Sequence, residues 1–203
     1  MASRTYATTF MAKKLLIITG PQGSGNHLFS RLFSLHPEVG GWKELIDEYW
    51  IPSDLETFAP YWVNPGTMSI ADFAGYDYWV ANVSVPFVFD GVKQVPKIHL
   101  MAKRAEQLGL EVEIAIIVRD QNINLEQQRR VRKEETLPIA QQYYYTELLP
   151  HFSCHFLDHE AFFLHTEHYL KWTSKILNFP VAWDSEDVNK FIDKDANHKY
   201  VKY

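Results

Sequence analysis

Apolar and polar residues follow two rhythms along this chain. Continuous short apolar runs rich in β-branched residues mark strands buried on both faces. Apolar positions three and four apart mark helices. Lys14 to Thr19 (KLLIIT) is the first such run, and it ends at a glycine. Asn26 to Leu35 then places Leu28, Phe29, Leu32, Phe33 and Leu35 at helical spacing, and His36-Pro37 stops the helix. Between the two lies Gly20-Pro-Gln-Gly-Ser-Gly25. Strand, glycine loop and helix in that order form the first unit of a doubly wound sheet.

The same rhythms predict the remaining elements. Tyr78 to Val85 (YWVANVSV) is a second strand, and Lys97 to Leu108 is a helix capped by Gly109. Val112 to Val118 (VEIAIIV) is the clearest strand, with Arg119-Asp120 at its carboxyl end. A polar helix follows to about Lys133, then a helix through the Tyr143–Tyr145 triplet to Leu149. Cys154 to Leu157 reads as the last strand and Tyr169 to Leu177 as the last helix. Trp42 to Pro65 is aromatic and interrupted by proline, which predicts short helices and loops, some covering a cleft. The expected architecture is α/β, three layers with a central parallel sheet flanked by helices. In such sheets ligands bind beyond the carboxyl ends of the strands. Gly20–Asn26 and Arg119 can therefore face one crevice despite their distance in sequence. A single domain is expected over residues 11–203. Met11-Ala-Lys-Lys reads as a start just before the first strand, which makes residues 1–10 an N-terminal extension.

Composition narrows the function. A chain of 203 residues with 46% apolar and 22% charged residues folds around a full core and suits one α/β domain. Its formal net charge of −5 provides no global basic field for nucleic acid or an anionic membrane, so any bound anion needs a local site. Cys154 is the only cysteine, which fits a reducing, cytoplasmic setting. No apolar run approaches the roughly 20 residues of a membrane span.

The glycine loop is the strongest chemical feature. A loop between a strand and a helix N-terminus aims several backbone N–H groups at one point, and the helix dipole adds partial positive charge there. Glycines let the backbone approach phosphate oxygens. The sequence is GPQGSGNH, however, with Asn26 and His27 where a Walker loop has lysine and then serine or threonine. That departure argues against an ATPase, a GTPase or an ordinary kinase. The dinucleotide fingerprint also fails, since Gly23-Ser-Gly25-Asn-His-Leu28 lacks its third glycine.

GPQGSGNHLFSRLFSLHPEVGG resembles the 5′-phosphosulfate loop of the P-loop sulfotransferases, and three further segments agree in order. Trp42-Lys43-Glu44 looks like the Lys-Glu after the first helix of the heparan-type branch. EIAIIVRDQNINLEQQRRVR looks like the 3′-phosphate strand and helix, and CHFLDHEAFFLHTEHYLKWTSKILNFP like the family's late strand, acidic corner and helix. The resemblance covers roughly residues 15–183. It implies 3′-phosphoadenosine 5′-phosphosulfate as donor and no metal. The acceptor it implies is a hydroxyl or amine of a small molecule or sugar. It places the 5′-phosphate on the backbone of Gly23, Ser24, Gly25, Asn26 and His27, with the Ser24 hydroxyl as a further donor. Arg119 would pair with the 3′-phosphate and Gln127 would stand in for a family serine. Glu44 would be the base, Lys43 its cationic neighbour, and His27 the other candidate for acid–base work. Several family residues are changed. The usual basic residue is Gly23, the threonines are Asn26 and His27, the proline after Arg-Asp is Gln121, and the histidine of the cytosolic branch falls at Ser84.

Other features carry weaker readings. Lys43-Glu44 also reads as an exposed charged pair at a helix start. Lys93 can reach toward phosphates or sit at the surface. Arg129-Arg-Val-Arg-Lys133 can line the path of an acidic acceptor or end a solvated helix. His165 and His168 can share a helix face, but the five histidines from His151 to His168 show no three- or four-ligand metal spacing. Two rival functions stand beside sulfo transfer: a catalytically degenerate nucleotide binder of the same fold, and a nucleotide or small-molecule kinase with an aberrant loop.

Overall fold

A computed structural model describes residues 12–48 and 50–192. The expected extension at residues 1–10 lies outside the described residues. The core is a five-stranded, wholly parallel sheet built from β1 (Lys14–Pro21), β2 (Val39–Gly40), β3 (Tyr78–Val85), β6 (Glu111–Val118) and β7 (Cys154–Asp158), in the order β2-β3-β1-β6-β7. A small antiparallel hairpin, β4 (Phe87–Phe89) and β5 (Val92–Gln94), follows β3.

The apolar runs form strands because both faces of each are buried. Leu15 and Ile17 of β1 point into one core with Ile114 and Ile116 of β6, while Leu16 and Ile18 point into the other with Ala115 and Ile117. The first core is closed by α2 (Ile98–Gln107) and α4 (Leu137–Tyr143), through Ile98, Met101, Ala105, Ala140 and Tyr143. The second is closed by α1 (Asn26–Ser34), α5 (His159–Leu177) and α6 (Glu186–Ile192), through Phe29, Leu32, Phe33, Phe162, Leu170 and Val188. Helices thus flank the sheet on both faces, as the alternation of strands and helices predicts.

Most predicted elements match to within a residue or two. Trp42 to Pro65 does resolve into short 3-10 turns, at Lys43–Leu45, Ser53–Leu55 and Ala59–Trp62, with more at Pro65–Thr67 and Ile70–Phe73. The last helix differs. It begins at His159, ten residues before the predicted start at Tyr169, and is broken inside at Thr166 (φ +43°, ψ −112°). That break splits the apolar pattern into two short pieces, and only the second has enough periodicity to be read. α6 lies beyond it and was not anticipated.

Register positions the site. Strand β1 lies between β3 and β6, with Gly20 opposite Ser84 on β3 and Thr19 opposite Ile116 on β6. After β1 the chain builds one side of the sheet, and after β3 it crosses to the other. The carboxyl end of β1 is therefore a topological switch point, where a crevice opens in doubly wound sheets. The glycine loop, Ser84 and Arg119 all emerge there.

Candidate functional site at the glycine loop

The loop's shape depends on glycine at two places. Gly23 has φ +89° and Gly25 has φ +104°, in the left-handed region that favours glycine. A Cβ on Gly25 would lie 2.5 Å from Cδ2 of His159, and one on Gly23 would lie 2.8 Å from Oε1 of Gln127. Gly25 is also the N-cap of α1, so the helix begins with its N–H groups turned toward the crevice.

Two sets of contacts hold the loop. On the β3 side Asn26 is buried, accepting from the Ser24 hydroxyl at 2.6 Å and donating to the carbonyl of Val83 at 3.3 Å and to Ser84 Oγ at 3.2 Å. On the other side stands α3 (Gln121–Arg132), capped by Asp120, which accepts from the N–H groups of Asn122 and Ile123. The carbonyl of Gln22 accepts from Asn124 Nδ2 at 3.2 Å and from Gln128 Nε2 at 2.7 Å. Oε1 of Gln128 accepts from the N–H groups of Thr136 and Leu137, and the Thr136 hydroxyl donates to Oε1 of Gln22. Arg119 closes the ring: Nη1 donates to the Gly23 carbonyl and to Gln127 Oε1, both at 2.8 Å, with its side chain only 2% exposed.

These elements enclose a cavity of about 190 Å³. Gln22, Gly23, Gly25 and Asn26 form its floor, with Ser84 and Gln127 beside them. Its charged lining consists of Arg31, Arg119 and Arg132, with the rings of His27 and His159, and no carboxylate lines it among the described residues. Trp50, Ile51, Phe163 and Phe191 supply an apolar wall. Arg31 lies on the buried face of α1; its Nε donates to the carbonyl of Ile46 at 2.7 Å, and its guanidinium sits 4.3 Å from the Phe191 ring centroid. His159 is buried, with Nδ1 3.6 Å from Oε1 of Glu160. A local cluster of cations at the start of a helix, in a protein of net negative charge, is what an anion site requires.

Two carboxylates stand behind this lining: Glu160, whose Oε1 is 3.7 Å from Arg119 Nε as well as near His159, and Glu56. Glu56 is buried, its side chain 4% exposed, with Oε1 3.4 Å from Nε2 of His27. Oε2 accepts from Asn82 Nδ2 at 2.8 Å, and the Trp42 indole also donates to the carboxylate. Burial pushes the Glu56 carboxyl above its ordinary value, against the opposing pull of His27, Asn82 and Trp42. The His27 and Trp42 rings pack with centroids 5.0 Å apart.

The predicted site residues divide in two. Gly23, Gly25, Asn26, His27, Arg119 and Gln127 come together at the cavity. Ser24 lies beneath it, with its hydroxyl turned to Asn26. Lys43 and Glu44 do not line the cavity. They form a 3-10 turn in which Glu44 is exposed and Lys43 Nζ donates to the carbonyl of Pro37 at 2.8 Å. Lys93 pairs with Glu134 instead of facing the loop. Of the basic run, Arg132 reaches the cavity while Arg129 pairs with Glu126 and Glu135 at 2.6 Å.

Sequence reasoning did not find Glu56, Asn82, Arg31, His159 or the amide ladder of Gln22, Asn124 and Gln128. One signal was available for the ladder: Asn124 and Gln128 are one turn apart on a helix with few apolar residues. A polar helix held in a core needs such partners. No protein-family model matches this chain, and no curated protein is significantly similar to it.

Proposed function

We propose that this protein binds a phosphate-bearing adenine nucleotide at the glycine loop and acts as a sulfotransferase of the P-loop type. The donor would be 3′-phosphoadenosine 5′-phosphosulfate and the acceptor a hydroxyl or amine of a small molecule or sugar. One observation carries the reading: three arginines, two histidines and the N-terminus of α1 meet in a single cavity that no carboxylate lines among the described residues. When bound, the donor supplies an activated sulfo group. Backbone N–H groups from Gly23 to His27 hold its 5′-phosphate, since the loop presents them at a helix start. Arg119 pairs with the 3′-phosphate, with Arg31 and Arg132 adding charge from the same lining. His27 replaces Glu44 as the group that handles the acceptor's proton, because it lines the cavity and Glu44 does not.

Adenosine 3′,5′-bisphosphate should stabilise the fold, and AMP much less. At a hundredfold excess over its dissociation constant a ligand adds about 2.7 kcal/mol. For a domain of this size that is a rise in melting temperature of roughly 5–10 °C. Arg119→Ala should remove the preference for the bisphosphate over AMP, and Arg119→Lys should restore only part of it. No shift with millimolar bisphosphate overturns the reading, and a larger shift with ATP and Mg²⁺ favours a kinase instead.

A binder without catalysis is the second reading. Arg119 Nη1, the Ser24 hydroxyl and the Asn26 amide all bond to the protein itself, which favours a loop built for rigidity. Transfer of label from the donor to any acceptor in a metabolite screen rules it out.

A further inference from the structure

Four buried or half-buried side chains from separate parts of the chain converge behind the cavity. His27 begins α1, Trp42 follows β2, Glu56 follows the Ser53–Leu55 turn, and Asn82 lies on β3. Their chemistry is ordered. Asn82 holds Oε2 of Glu56 at 2.8 Å, which aims Oε1 at Nε2 of His27, 3.4 Å away. The Trp42 indole adds a second donor to the carboxylate and lays its ring against His27. A buried carboxylate is expensive unless its oxygens find partners, so an arrangement that gives both oxygens a role needs explaining. Glu56 does not line the cavity, but His27 does.

The two nitrogens of an imidazole are distinct, and the hydrogen bond made by one decides which of them carries the proton. A carboxylate that accepts from one nitrogen also stabilises the charge that appears when the other takes a proton. We propose that Glu56 is the positioning residue of this cavity: it fixes the His27 ring through Nε2–H and leaves Nδ1 to take a proton from an acceptor bound against the loop. The acceptor's O–H or N–H proton passes to Nδ1, the bonding pair stays on the acceptor atom, and the imidazolium that results faces the Glu56 carboxylate. This rests on the sulfotransferase reading for the identity of the acceptor, but the His27–Glu56 pair itself does not.

The test uses the full chain with ¹⁵N-labelled histidine. The expected spectrum has one imidazole N–H proton far downfield of the others, assigned to His27 by its loss in His27→Asn. Long-range couplings should place that proton on Nε2 and the lone pair on Nδ1. Glu56→Gln, which keeps the shape and removes the charge, should move the proton markedly upfield. If that variant does not fold, Trp42→Phe serves instead, since it removes one donor to the carboxylate and should shift the same proton. A lone pair on Nε2, or a proton unmoved by these changes, overturns the proposal. Adenosine 3′,5′-bisphosphate should then shift the Nδ1 resonance. Thermal stabilisation by the bisphosphate with Nδ1 unmoved would remove His27 from the ligand site and overturn the proposal. Absence of any thermal stabilisation would sink the nucleotide reading, and the tautomer would still decide the pair. Once turnover is measurable, His27→Asn should lower it by roughly a hundredfold or more, and adding Glu56→Gln to it should lower it no further. Additive losses would show that Glu56 acts independently of His27.

Discussion

The two flanks of the glycine loop are held by different chemistry. Toward α3 the contacts are a ladder of neutral amides, Gln22, Asn124 and Gln128 with the Thr136 hydroxyl and two backbone N–H groups, joined by the Arg119 guanidinium, whose charge is fixed. Toward β3 Asn26 bonds to Val83 and Ser84, and next to Asn26 in the chain His27 forms an ionisable pair with Glu56. A neutral ladder has the same strength at every pH and cannot donate or accept a net proton. An ionisable pair responds to protons and to nearby charge. The loop therefore has one side that fixes its position and one side able to take part in proton transfer.

The largest effect should come from breaking the ladder side. Gln128 is fully buried and both ends of its amide are engaged. Gln128→Ala leaves the Thr136 and Leu137 N–H groups without their acceptor and takes a donor from the Gln22 carbonyl. Unsatisfied buried groups cost about 1–3 kcal/mol each, so a loss of roughly 3 kcal/mol or more is expected. Calorimetry should show a melting temperature lower by about 6–12 °C. The same variant should bind the bisphosphate weakly, because the loop's N–H groups lose their fixed aim. A loss below about 1 kcal/mol would mean that the ladder does not hold the loop.

A smaller effect, with a pH signature, should come from the ionisable side. Burial raises the Glu56 carboxyl above the ordinary value of 4.5. The folded chain thus keeps this proton at pH values where the unfolded chain has released it. Where the native state binds more protons, stability falls as pH rises. The contribution of Glu56 is fully present below pH 4.5 and declines as pH climbs through the raised folded value. Glu56→Gln has no proton to lose. The wild-type stability minus that of Glu56→Gln should therefore fall with rising pH across this window, as denaturant titrations at a series of pH values would report. A difference that grows with pH would show instead that His27, Asn82 and Trp42 outweigh burial.

These contrasts also explain what the sequence made legible. Strands β1, β3 and β6 could be read because central parallel strands are buried on both faces, which leaves continuous apolar runs such as LLII and IAII. The loop and Arg119 could be read because both sit where strands end. β2 is only two residues long and has no pattern to detect. Glu56 was hidden for another reason. It lies in an aromatic segment of short turns without periodicity, and its partners His27 and Asn82 are brought to it only by the packing of α1 and β3. Lys43-Glu44 was conspicuous as a charged pair beside the first helix, but adjacency in sequence says little about which way a turn faces.

That turn gives the smallest expected effect and the sharpest contrast with Glu56. Glu44 is exposed on a 3-10 turn, and its neighbour Lys43 is held at the Pro37 carbonyl and lies 5.7 Å from the Tyr76 ring centroid. Neither side chain lines the cavity. A surface substitution away from caps and buried partners changes stability by less than about 0.5 kcal/mol. Glu44→Gln should melt with the wild type and bind the bisphosphate within about twofold. If His27 handles the acceptor's proton, turnover should also stay within a few fold, against the roughly hundredfold loss expected for His27→Asn. The two variants form a direct competition between the carboxylate that the family resemblance implies and the histidine that lines the cavity. A hundredfold loss in Glu44→Gln with binding intact would return the base to Glu44, because an exposed carboxylate can have that effect only by touching the acceptor. It would also require the turn at Lys43–Leu45 to move onto the cavity when an acceptor binds.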